Sequence, residues 1–330
     1  MKFEINKISL FVLAIIFHFS CSHPSERNEY ESRFNNTPVI EGDWWQVAGN
    51  PDLGELTSEE QQPVDFGIWQ AADGTWQIWS CIRHTKEKGH TRLFFRWEGD
   101  SLTQKSWKSM GIAMQADSSL GEAPGGLQAP YVIRHENRYF MFYGDWNRIC
   151  LAQSDDGKHF SRVLRNGSPA LFGDPAETNT RDAMILRVNN QWYCYYTAHP
   201  DNDGAIYVRT SDNLYDWSIS KRVSHGGSPG SGKLWLAECP HVVNLNDLFY
   251  LFRTYSYGQY ENGRQISEPK TNIYYSSDPE NFGIDTDSLF VVQLPVAAPE
   301  IIQHQGEWFI AALMPDLQGI RIAKLNWIEK

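Results

Sequence analysis

The sequence predicts an all-β, single-domain fold, a five-bladed β-propeller, on three observations. One hairpin pattern recurs five times along the chain. The composition is aromatic, with 13 Trp, 15 Tyr and 17 Phe among 330 residues, and such residues favour pleated, half-buried surfaces over helices. Each repeat is too small to bury its own apolar face, so copies must stack.

The first repeat sets Val64-Asp65-Phe66-Gly67-Ile68-Trp69 against Trp76-Gln77-Ile78-Trp79 across an Asp73-Gly74 turn. The second sets Ala129-Pro130-Tyr131-Val132-Ile133 against the run from Tyr139 to Tyr143. The third pairs Arg181-Asp182-Ala183-Met184 with Trp192 to Tyr196, and the fourth pairs Glu238-Cys239-Pro240-His241 with Phe249 to Phe252. The fifth pairs Ala298-Pro299-Glu300-Ile301 with Trp308 to Ala311. Glu136-Asn137, Asn189-Asn190, Asn246-Asp247 and Gln305-Gly306 link the hairpins, and such pairs tolerate the positive φ of tight turns. A third strand follows each hairpin, and three of these end in a Ser-Asp turn, at Ser154, Ser211 and Ser277. A β-sandwich also has many short strands, but it predicts no such recurring motif.

The N-terminus reads differently. Lys2 and Lys7 flank an apolar run from Ile8 to Phe17, too short to span a bilayer, followed by Ser20-Cys21. This is the pattern of a signal peptide over residues 1–20, with Cys21 as a lipidation site of bacterial lipoprotein type. Export to the periplasm or the outer membrane follows, with membrane contact through the lipid alone. Residues 21–60 are assigned to a linker and lead-in segment and 61–330 to the propeller. Cys81, Cys150 and Cys194 lie in strand-like runs and suit buried apolar positions, and no cysteine pair has metal-ligand spacing. The formal charge of −11 and the absence of a basic stripe exclude nucleic acid as a partner.

Aligning the repeats on the aromatic strand brings a column of residues to the start of each inner strand. It reads Asp65, Ala129, Asp182, Glu238, Ala298. Inner strands line a propeller's channel, so the three acids are expected to converge near the axis. Partial desolvation and mutual repulsion there separate carboxyl pKa values, which acid/base chemistry near neutral pH requires. Hydrolysis of a glycosidic bond uses two carboxyl groups, one to protonate the leaving oxygen and one to activate water or attack carbon.

At these residues the chain resembles the clan of five-bladed propeller glycosidases that holds glycoside hydrolase families 43 and 32. Arg181-Asp182 is similar to the Arg-Asp-Pro motif of family 32, with Ala183 in place of Pro. Glu238-Cys239-Pro240 resembles that family's Glu-Cys-Pro, and Val64-Asp65-Phe66-Gly67 its first-blade element. Ala129-Pro130-Tyr131-Val132 looks like the Ala-Pro-Asp-Val of family 43, with Tyr131 in place of Asp. With no room for a family 32 C-terminal sandwich, a family 43-like enzyme is expected. The resemblance implies Asp65 as base or nucleophile, Asp182 as the group that tunes and orients, and Glu238 as general acid. It further implies β-xylosides or α-L-arabinofuranosides from plant or algal polysaccharide as substrates, with a fructoside as the alternative.

Arg181, Trp69, Tyr131, Trp146 and His241 are the candidate substrate-binding residues. Trp44-Trp45 either walls the pocket or closes the ring, and the stretch from Tyr255 to Pro269 is an insertion in blade four that could set specificity. No cofactor or metal is assigned. Some family 43 members hold Ca²⁺ near the axis through a His, and His304, a single His in blade five, does not carry that assignment. Two rival functions remain: a non-catalytic carbohydrate-binding propeller, and a glycoside phosphorylase. The second needs a cationic phosphate site, and the sequence shows no clustered Arg, Lys and His to form one.

Overall fold

The computed structural model describes residues 36–329; the expected signal peptide and Cys21 lie outside them. Five antiparallel sheets follow one another along the chain. Blade one consists of Gln62–Gln70, Trp76–Arg83, Leu93–Gly99 and Lys108–Met114. Blade two runs through Gln128–His135, Arg138–Gly144, Ile149–Ser154 and Ala170–Phe172, with Ser161–Arg162 also pairing to its third strand. Blade three is Arg181–Val188, Gln191–Ala198, Ala205–Ser211 and Lys221–Ser224. Blade four is Glu238–Leu245, Leu248–Ser256, Lys270–Ser276 and Phe290–Leu294, and its insertion folds as a hairpin, Gln259–Glu261 with Arg264–Ser267.

Blade five takes three strands from the end of the chain, Glu300–His304, Glu307–Leu313 and Gly319–Glu329. Its outer strand comes from the beginning, Asn36–Gly49. Thr37 pairs with Ile328 and Ala48 with Ile320, so chain start and chain end are hydrogen-bonded into one sheet. This corrects the lead-in assigned to residues 21–60, since residues 36–49 are part of the propeller. It also decides the role of Trp44-Trp45. The Arg321 guanidinium lies 4.1 Å from the centre of the Trp44 ring. Trp45 Nε1 donates to the Leu102 carbonyl at 2.8 Å, and its ring packs edge-on to Phe309. Both close the ring.

The hairpin turns have the backbone their residues suggest. Glu136, Asn137, Asn189, Asn246, Asp247, Gln305 and Gly306 all adopt positive φ, which matches the right-handed twist of the flanking strands. Neighbouring inner strands touch around the full circle, blade five meeting blade one. Blades one and two approach so closely that a Cβ on Gly67 would collide with the Pro130 carbonyl oxygen. Trp69 locks the same pair. It is buried against Trp79 and Phe160, with Nε1 donating to the Gly157 carbonyl of the blade-two Ser-Asp turn at 2.8 Å. Trp69 is therefore a packing residue between blades one and two. Cys81, Cys150 and Cys194 are buried free thiols.

One irregularity recurs at the start of each inner strand. Asp65, Ala129, Asp182, Cys239 and Ala298 all have φ between 38° and 58°, and the pairing register slips at this point in blades one to four. A non-glycine residue in this region costs about 1–2 kcal/mol. Such a bulge bends the strand and re-aims its side chains. Because Ala129 and Ala298 share it, the bulge belongs to the fold, and the acids make use of it.

Candidate active site

The recurring bulge corrects the column of acids. Measured from the first aromatic residue of the second strand, the equivalent position in blade four is ten before Phe249, which is Cys239. Glu238 sits one residue earlier, in register with Arg181 and Gln128. Each of these three pairs with the end of its second strand, at Thr254, Thr197 and Gly144 respectively. Two adjacent columns thus supply the acids, Asp65 and Asp182 from one and Glu238 from the other.

The three carboxyl groups still meet. Asp65, Asp182 and Glu238 are 8%, 5% and 8% exposed. Arg181, 5% exposed, ion-pairs with Glu238 Oε1, and its Nε lies 3.6 Å from Asp182 Oδ2. The Cys239 amide donates to the same Asp182 oxygen at 3.1 Å. The Cys239 thiol reaches Asp65 Oδ1 at 3.4 Å, and the Tyr257 hydroxyl donates to that oxygen at 3.0 Å. Thiol and hydroxyl are themselves 3.0 Å apart. Burial first, and the surrounding carboxylates next, push both the Cys239 and Tyr257 pKa values well up. Both groups therefore keep their protons and act as donors.

Above the acids opens a cavity of about 880 Å³. Asp65, Glu238, Arg181, Trp146 and Tyr257 line it, together with Gln128, Asn147, Asn179 and His199. Gln128 Oε1 and Asn179 Oδ1 are buried polar atoms with no protein partner among the described residues. Trp235, 48% exposed, stands at the cavity wall. Trp146 is stacked on His90, with ring centres 3.8 Å apart. Asp182 lies below, in a narrow axial space that also holds Tyr131, Pro240, Ala298 and Glu300.

Of the candidate binding residues, Arg181 and Trp146 line the cavity. Tyr131 and His241 do not. Tyr131 lines the axial space, its ring 6.2 Å from that of His241, and His241 Nδ1 faces Glu300 Oε2 at 3.3 Å. Burial raises the Glu300 pKa and His241 opposes the rise. His304 packs edge-on against Trp76 at the outer end of its strand. Among the described residues no three His, Cys, Asp or Glu side chains are grouped to hold a metal. Sequence reasoning named Tyr257 only within the blade-four insertion and Cys239 only within a motif, and missed Gln128, Asn179, His199 and Trp235. It also missed three cations beside the expected Arg181: Arg83, Arg92 and Arg148, from the first two blades, line the same cavity. The clustered basic residues that the linear sequence did not show are assembled by the fold.

Asp182 is the perturbed acid. Its pKa is raised from 3.8 to about 7, first by burial and then, against the pull of Arg181, by the Asp65 and Glu238 carboxylates. In the unfolded chain it ionises near its ordinary value; in the fold it holds its proton to about neutrality. Its contribution to stability is full below about pH 4 and lost as pH rises through about 7. Asp182→Asn removes this dependence. In thermal melts, the Tm difference between variant and wild type is expected to shift in the variant's favour from pH 4 to pH 7. A constant difference would contradict it.

Residues 96–284 match the family model described as glycosyl hydrolases family 32 N-terminal domain, the family whose motifs Arg181-Asp182 and Glu238-Cys239-Pro240 resemble. Similar solved structures include a thermostable family-43 glycoside hydrolase, at 15% identity and a TM-score of 0.56, covering 82% of this chain and 90% of that one. An α-L-arabinofuranosidase from Clostridium thermocellum is 15% identical with a TM-score of 0.55, covering 79% of this chain and 88% of its own. A sucrose-6-phosphate hydrolase from Lactobacillus gasseri is 15% identical with a TM-score of 0.60, covering 87% of this chain and 61% of its own. No curated protein sequence matches. With its family match spanning more than half of its length, on a five-bladed ring shared with the similar solved structures, the chain belongs to the glycosyl hydrolase family 32 N-terminal domain family.

Proposed function

We propose that Glu238 and Asp65 carry out the glycosidic cleavage, and that the substrate is an oligosaccharide from plant or algal polysaccharide. The observation that carries this reading is that both carboxyl groups face one cavity of about 880 Å³ from blades four and one, while Asp182 is buried beneath. Glu238 donates its proton to the leaving oxygen as the bond to the anomeric carbon breaks. The Arg181 guanidinium, already paired with Glu238, stabilises the carboxylate left behind. Asp65 either takes a proton from the attacking water or attacks the anomeric carbon itself. Tyr257 and Cys239 hold its Oδ1, leaving Oδ2 for the reaction. Asp182 Oδ1 is buried with no protein partner among the described residues, and its raised pKa keeps a proton on this carboxyl to about neutrality. Trp146 and Trp235 offer aromatic surface to a sugar ring.

β-Xylosides and α-L-arabinofuranosides are the first substrates to test. A fructofuranoside is the second reading, favoured by the family 32 match and by the Arg181-Asp182 and Glu238-Cys239-Pro240 motifs. The deciding experiment is a screen of aryl xylosides, aryl arabinofuranosides, sucrose and fructo-oligosaccharides with the wild-type protein. Turnover of the pentosides supports the first reading and turnover of the fructosides the second. Binding of these sugars with no cleavage would replace both with a carbohydrate-binding propeller. On the N-terminal sequence pattern, the enzyme is further proposed to be exported and anchored through a lipid on Cys21.

A further inference from the structure

Four arginines line the cavity, and two of them are already neutralised. Arg181 is paired with Glu238 and Asp182, and Arg148 with Asp145 through Nε at 3.0 Å. Arg83 and Arg92 are not. Arg83 donates from Nε and Nη2 to one neutral atom, Gln62 Oε1, at 2.9 and 2.7 Å. The Arg92 guanidinium lies 5.1 Å from the centre of the Trp146 ring. Neither makes an ion pair among the described residues, although acids outnumber basic residues 40 to 29 in this chain.

Their placement raises the cost. Ile82 pairs with Leu93 in blade one, so Arg83 and Arg92 leave the same end of two adjacent strands, and both line the cavity. Like charges gathered in one partly enclosed cavity repel. The two guanidinium groups also lower the pKa of His84, after burial, and Arg92 does the same to His90. The region is therefore held positive. A neutral sugar needs one well-placed donor here and gains nothing from two unpaired charges. An oxyanion suits the pair: it would relieve their repulsion, and the planar fork of each guanidinium fits a carboxylate or a sulfate.

We propose that Arg83 and Arg92 bind an oxyanion substituent of the sugar, a carboxylate or a sulfate ester, so that the substrate is an acidic glycoside. The proposal rests on the glycosidase reading and names the substrate class of the same cavity.

Equilibrium binding tests it without turnover. Calorimetry on the whole protein would compare the methyl glycosides of glucuronate, galacturonate and galactose 6-sulfate with those of glucose and galactose. At least one acidic ligand is expected to bind about tenfold or more tightly than its neutral counterpart, the size of a charged hydrogen bond made or lost. Preference for the uronates or for the sulfate identifies the source of the charge. Arg83→Gln and Arg92→Gln should each erase most of the preference, while the Lys variants keep part of it and control for misfolding. Equal binding of acidic and neutral ligands, or a preference that survives both Gln variants, would overturn the proposal. So would formation of a sugar 1-phosphate when inorganic phosphate is added, since the arginines would then serve phosphorolysis. Preferential acidic binding with no cleavage of any glycoside would leave the anion site standing and remove the glycosidase reading. Cleavage of neutral glycosides without any acidic preference would do the reverse.

Discussion

Asp65→Asn is expected to lower kcat by on the order of 10³- to 10⁴-fold, at the upper end of what one positioned acid or base contributes. The substitution keeps the shape of the side chain and its place in the blade-one bulge. Asn can still accept from Tyr257 and Cys239 through its carbonyl oxygen, so the bonds that orient it are retained. What is lost is the negative charge that either deprotonates water or attacks carbon. Kinetics on the best substrate of the screen, with thermal melts alongside, provide the check. A loss below tenfold with the fold intact would remove Asp65 from the chemistry.

The second large effect is on stability. Arg181 is the cation between two buried carboxyl groups, and its pKa is raised because Glu238 and Asp182 outweigh the penalty of its burial. Removing one partner of a buried ion pair strands the other, at a cost of about 3–5 kcal/mol. Arg181→Leu should destabilise the protein by that amount in urea unfolding near neutral pH. The loss should shrink towards pH 4, where the stranded acids can take up protons. Activity should fall as well, because Glu238 loses the group that holds it. A destabilisation under about 1 kcal/mol would show that the carboxyl groups do not depend on Arg181.

The fold was legible in the sequence because each blade advertises its inner hairpin. The buried aromatic runs at Trp76, Tyr139, Trp192, Phe249 and Trp308 recur with turn residues at a fixed offset. Outer strands carry no such signal. Lys108–Met114 is mostly exposed or half-buried and has little apolar alternation to read. The closure of blade five by Asn36–Gly49 joins the two ends of the chain, a pairing that local pattern cannot specify. In the site, Asp65 and Asp182 were readable from the column. Glu238 lies one position before Cys239, the bulge residue of blade four, so a single column drawn from the aromatic strands does not place it correctly. Tyr257 comes from the start of an insertion, outside any repeat. Arg83 and Arg92 are nine positions apart in sequence and become neighbours only when their two strands pair. Tyr131 and His241 were drawn to the cavity by their nearness in sequence to the column. The alternation of a strand, with the bulge before it, sends Tyr131 to the axial space and His241 against Glu300 instead.

The most direct measurement is the dependence of kcat/KM on leaving-group pKa for Glu238→Gln. A general acid matters most when the departing oxygen is a poor leaving group. The variant is expected to cleave glycosides of acidic phenols nearly as well as wild type, and to lose on the order of 10²- to 10⁴-fold on alkyl glycosides. A uniform loss across all leaving groups, or no loss on any, would contradict that expectation.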